Sequence, residues 1–113
     1  MLIGVPKEIK NHEYRVGLLP AGVRELIHHG HQVIVETNAG AAIGFDDEAY
    51  LAIGAEVVTN ASTIFERSEL VVKVKEPQPV ERTQLHVAQT LFTYLHLAPD
   101  LLQTTDLVTS GAT

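Results

Sequence analysis

The sequence contains no cysteine and no excess of basic residues. Without cysteine there can be no disulfide and no thiolate metal ligand, which fits a reducing compartment. Lysine and arginine total 8 against 14 aspartate and glutamate residues, and a net charge of −6 argues against nucleic-acid binding. No apolar run approaches the ~20 residues of a membrane helix, and the first residues lack a signal-peptide layout. We expect a cytoplasmic protein with neither nucleic-acid nor membrane partners.

The length and the apolar content set the next limit. The chain has 113 residues, of which 45% are hydrophobic, enough for one domain with a buried core. It shows no internal repeat, low-complexity tract or linker. We therefore expect residues 1–113 to form a single domain or one piece of a larger protein.

Short apolar runs alternate along the chain with segments of helical spacing. The runs predict strands at residues 2–5, 33–36, 56–58, 70–74 and 91–95. The intervening segments predict helices at residues 20–29, 46–53, 64–67, 81–86 and 99–109, with Asp46 and Ser62 as caps of two of them. The strand runs are continuously apolar, which is typical of a parallel sheet covered on both faces. The predicted fold is a three-layer α/β domain, Rossmann-like or flavodoxin-like, with a mostly parallel sheet flanked by helices.

Three chemically useful residues follow three of the predicted strands. Arg15 lies in the loop after the first strand, Lys75 at the end of the fourth, and His96 at the end of the fifth. Because ligands of open parallel sheets bind outside the carboxyl ends of the strands, we expect all three around one pocket. Arginine can grip a carboxylate, lysine can hold a carbonyl or carboxylate oxygen, and histidine can move a proton. This set suits a small 2-oxo acid, with Arg15 and Lys75 as its ligands and His96 as the acid/base.

Each of these residues also has a simpler interpretation. His96 ends the apolar run at residues 91–97, so it could be a core histidine hydrogen-bonded to the backbone. Arg15 could belong to a solvated surface ion pair. Lys73 and Lys75 share a face, and one of them could pair with Glu76. Lys75 is preferred as the ligand because it lies further toward the strand end.

Two other patterns are weaker candidates for sites. His28, His29 and His31 cluster at a helix end, but no carboxylate or thiol is spaced to join them, so no metal site is predicted. Gly40 and Gly44 do not form the Gly-x-Gly-x-x-Gly turn of dinucleotide-binding folds.

Several longer motifs identify a family resemblance over essentially the whole chain. They are Ile3-Gly-Val-Pro-Lys-Glu-Ile-Lys10, Glu13-x-Arg15-Val, Pro20-Ala-Gly-Val, Gly30-His-x-Val, Gly44-Phe-x-Asp-x-x-Tyr50, Gly54-Ala-Glu, Val72-Lys-Val-Lys-Glu-Pro77 and Leu91-Phe-Thr-Tyr-Leu-His-Leu97. In this order they resemble the N-terminal substrate domain of the alanine dehydrogenase and pyridine nucleotide transhydrogenase family. The resemblance implies that Arg15 and Lys75 bind pyruvate or alanine and that His96 is the catalytic acid/base.

The resemblance also carries expectations about the whole protein. Transhydrogenase relatives lack the lysine and histidine matched by Lys75 and His96, so the match favours NAD-dependent oxidation of L-alanine to pyruvate and ammonium. The family holds NAD mainly through a separate domain, so residues 1–113 are expected to be a truncated N-terminal substrate domain, inactive alone. The full-length protein is expected to be a cytoplasmic homo-oligomer. A transhydrogenase-like subunit piece and a stand-alone 2-oxo-acid-binding module remain alternatives.

Overall fold

Five parallel strands form the central sheet of the computed structural model, which describes residues 1–113. The strands are β1 (Leu2–Val5), β2 (Gln32–Glu36), β3 (Glu56–Val58), β4 (Leu70–Val72) and β5 (Thr90–Phe92). The helices are α1 (Pro20–His28), α2 (Asp47–Leu51), α3 (Ala61–Arg67), α4 (Pro79–Arg82) and α5 (Leu101–Ser110), with a 3-10 turn at Ala41–Ile43. The strand order is β3-β2-β1-β4-β5, and every neighbouring pair is parallel. The predicted α/β class is therefore confirmed.

Alternate residues of the strands enter two separate apolar layers. Val33 and Val35 of β2 pack with Val23 of α1 and Tyr50 of α2 on one face. Ile34, between them in sequence, packs with Ile64 of α3, and Phe65 of α3 joins β4 on the same face. Burying an aliphatic or phenyl side chain this completely stabilises a fold by roughly 1.5–3 kcal/mol. The sheet is thus the middle of three layers.

The side chains of Asp46, Asn60 and Asp100 each accept a backbone N–H at the start of a helix, namely α2, α3 and α5. Asp46 caps α2 as predicted, accepting a hydrogen bond from the backbone N–H of Ala49. The predicted cap of α3, Ser62, is wrong, because Asn60 accepts from the N–H of Thr63 and so begins the helix earlier. The short helix predicted at residues 81–86 begins instead at Pro79, whose fixed φ suits the first helical position.

The fifth strand differs from its prediction as a buried run over residues 91–95. It spans only Thr90–Phe92 at the edge of the sheet, and the burial is one-sided. Leu91 packs against the α3 layer, whereas Phe92 is 70% exposed. Phe92 is in register with Val72, which does pack in the α1 layer, so this layer ends before it reaches β5. The apolar run therefore predicted the strand correctly, but it did not show that one face of this strand is uncovered.

The strand order fixes where a crevice opens. The chain passes from β1 outward to β2 and β3, then crosses back to place β4 on the other side of β1. The segments that leave β1 and β4 therefore diverge at the carboxyl edge, which is the topological switch point of an open α/β sheet. Residues 6–19 and 73–78 are these two segments, and residues 93–100 follow β5 at the same edge. None of the helices has the length and apolar character that crossing a membrane requires.

Candidate functional site

All three predicted site residues follow the carboxyl ends of their strands. Arg15 lies in the segment after β1, Lys75 follows β4, and His96 follows β5 beyond its last paired residue. Because the strands are parallel, the three residues share one edge of the sheet. Their roles in binding or catalysis remain predictions from the sequence.

The segment after β1 returns to the end of β4 at Gly17. A Cβ atom at this glycine would lie 2.5 Å from the carbonyl oxygen of Val72, so only glycine permits the approach without displacing the backbone. This close contact brings the preceding residues, Arg15 among them, beside the segment that leaves β4.

Arg15 forms an ion pair with a carboxylate of its own loop. Its Nε donates to Oε2 of Glu13 at 2.9 Å, and its Nη2 donates to Oε1 at 2.8 Å. These hydrogen bonds are the main reason why the pKa of Glu13 is lowered to about 2, and the charge of Lys75 makes a smaller contribution in the same direction. The Arg15 side chain is 63% exposed. Since a guanidinium has five N–H donors, those not facing Glu13 remain free for another anion.

The two neighbouring lysines have different surroundings. Lys73 is buried, and its Nζ lies 3.1 Å from Oε1 of Glu8 and 3.0 Å from Oε2 of Glu81. Lys75 is only half-buried and lies in none of the ion pairs of the chain. Glu76, the partner suggested for one lysine, pairs instead with Lys10. The ammonium of Lys73 is therefore paired with two buried carboxylates, whereas the ammonium of Lys75 has no ion-pair partner and is available to a ligand.

His96 is not a core histidine, and that interpretation is wrong. Its side chain is 55% exposed, and its Nε2 lies 3.9 Å from Oε2 of Glu76. This Glu76 oxygen is buried without a hydrogen-bond partner. Burial alone would raise the pKa of Glu76, but the hydrogen bond and charge of Lys10, its own backbone N–H and the charge of His96 bring it below its usual value. The histidine therefore stands beside an ionised carboxylate and faces solvent.

Of the three predicted site residues, only one lines the cavity beside the segment after β1. A cavity of about 440 Å³ is formed by residues 7–15 together with Asn38, Ala39 and Ala42. Arg15 lines it, while Lys75 and His96 lie outside its lining. The charge of Lys75 acts on Glu13, which is the ion-pair partner of Arg15, and His96 lies 3.9 Å from Glu76 of residues 73–78. A single pocket for all three stays a prediction.

Among the carboxylates that organise this edge, sequence reasoning assigned an ion pair only to Glu76, and as a partner of Lys73 or Lys75 rather than of Lys10. These carboxylates are Glu8, Glu13, Glu76 and Glu81, of which all but Glu13 are buried as whole residues. One signal was available: Gln78-Pro-Val-Glu81 forms a capping box, in which Glu81 accepts from the N–H of Gln78 at 2.8 Å. Nothing local in the sequence pairs Glu8 with Lys73, because 65 residues separate them.

Comparisons of the sequence agree with one another. A family model described as "Alanine dehydrogenase/PNT, N-terminal domain" matches residues 4–113. The chain is 52% identical over 113 residues to alanine dehydrogenase of Halomonas elongata, covering 100% of this chain and 30% of that protein. It is 52% identical over 105 residues to alanine dehydrogenase of Bacillus subtilis, covering 91% of this chain and 28% of that protein.

Two solved structures superpose on the whole of this chain. An L-alanine dehydrogenase superposes with a TM-score of 0.96 at 52% identity, covering 100% of this chain and 31% of that one. A transhydrogenase from Sinorhizobium meliloti superposes with a TM-score of 0.92 at 22% identity, covering 100% and 32%, which indicates a shared fold alone. The chain thus spans about three tenths of the length of these relatives.

Proposed function

Because this chain belongs to the family of alanine dehydrogenase and transhydrogenase N-terminal domains, we propose that it is the substrate-binding part of an NAD-dependent alanine dehydrogenase. The reaction is the reversible conversion of L-alanine, NAD⁺ and water to pyruvate, ammonium, NADH and a proton. The observation that carries the proposal is the 52% identity to an L-alanine dehydrogenase over the whole chain, against 22% to a transhydrogenase of the same fold.

Two cations at the switch point bind the substrate in this proposal. Arg15 keeps N–H donors free beside its ion pair with Glu13, and these can hold the substrate carboxylate. Lys75 is half-buried and has no ion-pair partner. Its ammonium is suited to the 2-oxo oxygen of pyruvate or to the second carboxylate oxygen. The two residues follow β1 and β4, which are neighbours at the switch point, and the proposal is that a molecule as small as pyruvate bridges them.

His96 moves the proton in this proposal. It takes a proton from the attacking water or from the carbinolamine, and it returns a proton in the reverse direction. The His96 side chain is 55% exposed, which leaves it accessible to a ligand, and its Nε2 lies 3.9 Å from Oε2 of Glu76. An acid/base needs such access to the reacting atom before its acidity matters.

The residues of this chain do not fit a dinucleotide. A dinucleotide fingerprint needs a glycine-rich tight turn between a strand and a helix. Here β1 and α1 are separated by residues 6–19, whose only glycine is Gly17, and that glycine approaches β4. We therefore assign the NAD site to residues outside 1–113, in a separate domain, and expect residues 1–113 alone to be inactive. Homo-oligomerisation and a cytoplasmic location belong to the same proposal.

The test uses the natural full-length chain that contains residues 1–113. We expect alanine-dependent reduction of NAD⁺, pyruvate- and ammonium-dependent oxidation of NADH, and pyruvate binding that weakens in Lys75→Ala. Residues 1–113 alone serve as the control without turnover. Hydride exchange between NADP(H) and NAD(H) without alanine oxidation would instead support the transhydrogenase alternative. Pyruvate binding without turnover in the natural chain would support a binding module.

A further inference from the structure

We propose that Glu8 is a positioning residue for Lys75, acting within a buried clamp formed by Glu8, Lys73 and Glu81. The inference rests on the proposed role of Lys75 in substrate binding. The clamp joins the two segments that diverge at the switch point, since Glu8 follows β1 and Lys73 follows β4. Its side chains are 1%, 1% and 2% exposed, in the order named.

Glu8 fixes the backbone on which Lys75 stands. Its Oε2 accepts a hydrogen bond from the N–H of Val74 at 3.1 Å, and its Oε1 accepts one from the N–H of Lys75 at 3.1 Å. The pairing of β1 with β4 ends at Gly4 and Val71, so no strand carbonyl reaches these two N–H groups. Val74 and Lys75 lie beyond the last residue of β4, and the carboxylate of Glu8 supplies the acceptors for both N–H groups.

The other end of the same segment is also held by buried side chains. Glu81 accepts from the N–H of Gln78 at 2.8 Å, and Arg82 donates to the carbonyl of Pro77 at 3.1 Å. Lys73 joins this end to Glu8, because its Nζ donates to both Glu8 and Glu81. Residues 73–78 are therefore fixed on both sides of Lys75.

The carbonyl groups beside Lys75 are fixed from a third direction. Thr93 Oγ1 donates to the carbonyl of Lys75 at 2.8 Å, and the N–H of Tyr94 donates to the carbonyl of Val74 at 3.3 Å. The peptide group between Val74 and Lys75 therefore has both its donor and its acceptor occupied, and the carbonyl of Lys75 is occupied as well. The side chain of Lys75 then departs from a backbone of fixed position, which is what a ligand-binding lysine needs.

The energetic cost of the clamp favours a positioning role over a purely structural one. Two carboxylates and one ammonium are buried together, and such groups often stabilise a fold no better than apolar residues of the same size. A buried carboxylate is nevertheless a strong acceptor for several N–H groups at once. Glu8 uses this property at Val74 and Lys75, next to the proposed ligand.

The central experiment replaces Glu8 by glutamine in the natural full-length chain. Glutamine keeps the size, but its NH₂ group must face either the N–H of Val74 or the donors of Lys73 and Lys75, so at least one contact is lost. We expect kcat/KM for pyruvate to fall about ten- to a hundred-fold, with the KM for ammonium unchanged. Glu56→Gln is the matched control, because it breaks an exposed ion pair with Arg67 at the start of β3 and should leave kcat/KM unchanged.

A double-variant cycle with Lys75→Met separates positioning from general damage. If Glu8 acts through Lys75, Glu8→Gln should reduce kcat/KM in the parent and cause little further loss in the Lys75→Met background. Losses that multiply in the double variant would overturn the inference. If Glu8→Gln does not fold, Glu81→Gln replaces it in the same cycle, since this change breaks the other half of the clamp.

A second readout keeps the inference independent of the proposed function. The proposed function fails if the parent does not oxidise alanine or if Lys75→Met retains full kcat/KM. In that event amide hydrogen exchange at residues 74 and 75 decides on the positioning itself. Faster exchange in Glu8→Gln than in Glu56→Gln supports the inference, and equal exchange overturns it.

Discussion

The segments after β4 and β5 each carry a predicted site residue, yet they are held in different ways. In residues 73–78, Lys73, Glu76 and Pro77 are buried. Buried carboxylates also accept hydrogen bonds from the backbone N–H groups of Val74, Lys75 and Gln78. In residues 93–100, every residue except the two at the ends is exposed. The carbonyl of His96 receives only a 3.4 Å hydrogen bond from Gln103.

The second segment takes its position from the first. Thr93 and Tyr94 donate to the carbonyls of Lys75 and Val74, so residues 93–100 are attached to 73–78 at their beginning and extend outward from there. The comparison shows that within this chain the lysine is fixed by buried charge, whereas the histidine is fixed mainly by its attachment to a neighbour. Changes in the two segments should therefore have different consequences, and four predictions test this.

The largest effect is expected at the exposed histidine. His96→Asn should lower kcat of the full-length enzyme by about 10²–10⁴-fold, because proton transfer is lost while no core contact is removed. Its thermal stability should match the parent, since the ring is 55% exposed and lies 3.9 Å from its nearest ionic partner. Steady-state kinetics and thermal unfolding measure the two quantities. A stable variant with most of the parent kcat would remove His96 from the chemistry.

The buried lysine should show the opposite behaviour. Lys73→Met leaves Glu8 and Glu81 buried without their common cation, and breaking a buried ion pair on one side costs about 3–5 kcal/mol. Lys75→Met, two residues away, removes no ion pair and should change the free energy of unfolding little. Urea unfolding of both variants measures the difference. Equal stability of the two variants would contradict the separation of structural and ligand-binding lysines.

The two proposed substrate ligands should show losses of intermediate size. Arg15→Ala and Lys75→Ala each remove a charge-assisted contact, typically worth ~1.5–3 kcal/mol, or roughly ten- to more than a hundred-fold in kcat/KM. Lys75→Arg should not restore activity, because a planar fork and a compact ammonium differ in reach. Kinetics with pyruvate as the varied substrate test this. Near-parental kcat/KM in Lys75→Ala would contradict its assignment.

The smallest effect concerns the pH dependence of stability. Arg15 lowers the pKa of Glu13 from 4.5 to about 2, so this residue stabilises the fold above pH 4.5 and loses its contribution as the pH falls toward 2. Burial raises the pKa of Glu81, so the contribution of Glu81 should instead decline as the pH rises above 4.5. Unfolding of the parent, Glu13→Gln and Glu81→Gln between pH 2 and 7 measures both trends. Parallel pH curves for the three proteins would contradict both assignments.

The sequence predicted the elements whose signals are local. The bounds of β1 and β3 are as predicted: β1 is an apolar run closed by Pro6, and β3 is a short run between Gly54 and Asn60. The predicted cap Asp46 is also correct, since a capping side chain acts within three residues of itself. The common edge of Arg15, Lys75 and His96 followed from the parallel topology alone.

The parts that failed depend on distant residues. The run at residues 91–95 has the composition of a buried strand, but composition does not reveal whether another element covers it, and Phe92 is exposed. Composition likewise does not reveal which face of α5 is covered: Leu101, Leu102 and Val108 are exposed, while Gln103 is buried and Leu107 packs against the core. The pairing of Glu8 with Lys73 likewise depends on where the chain returns after 65 residues.

The central position of β1 has a consequence for the order in which the fold can assemble. Residues 2–5 are synthesised before β2 and β4, yet they lie between these strands and pair with residues as distant in sequence as Leu70 and Val71. Parallel pairing over such a separation closes a long loop before it gains contacts, which slows folding. Until β4 has been synthesised, one side of β1 is therefore unpaired, and this open edge can pair with strands of other chains.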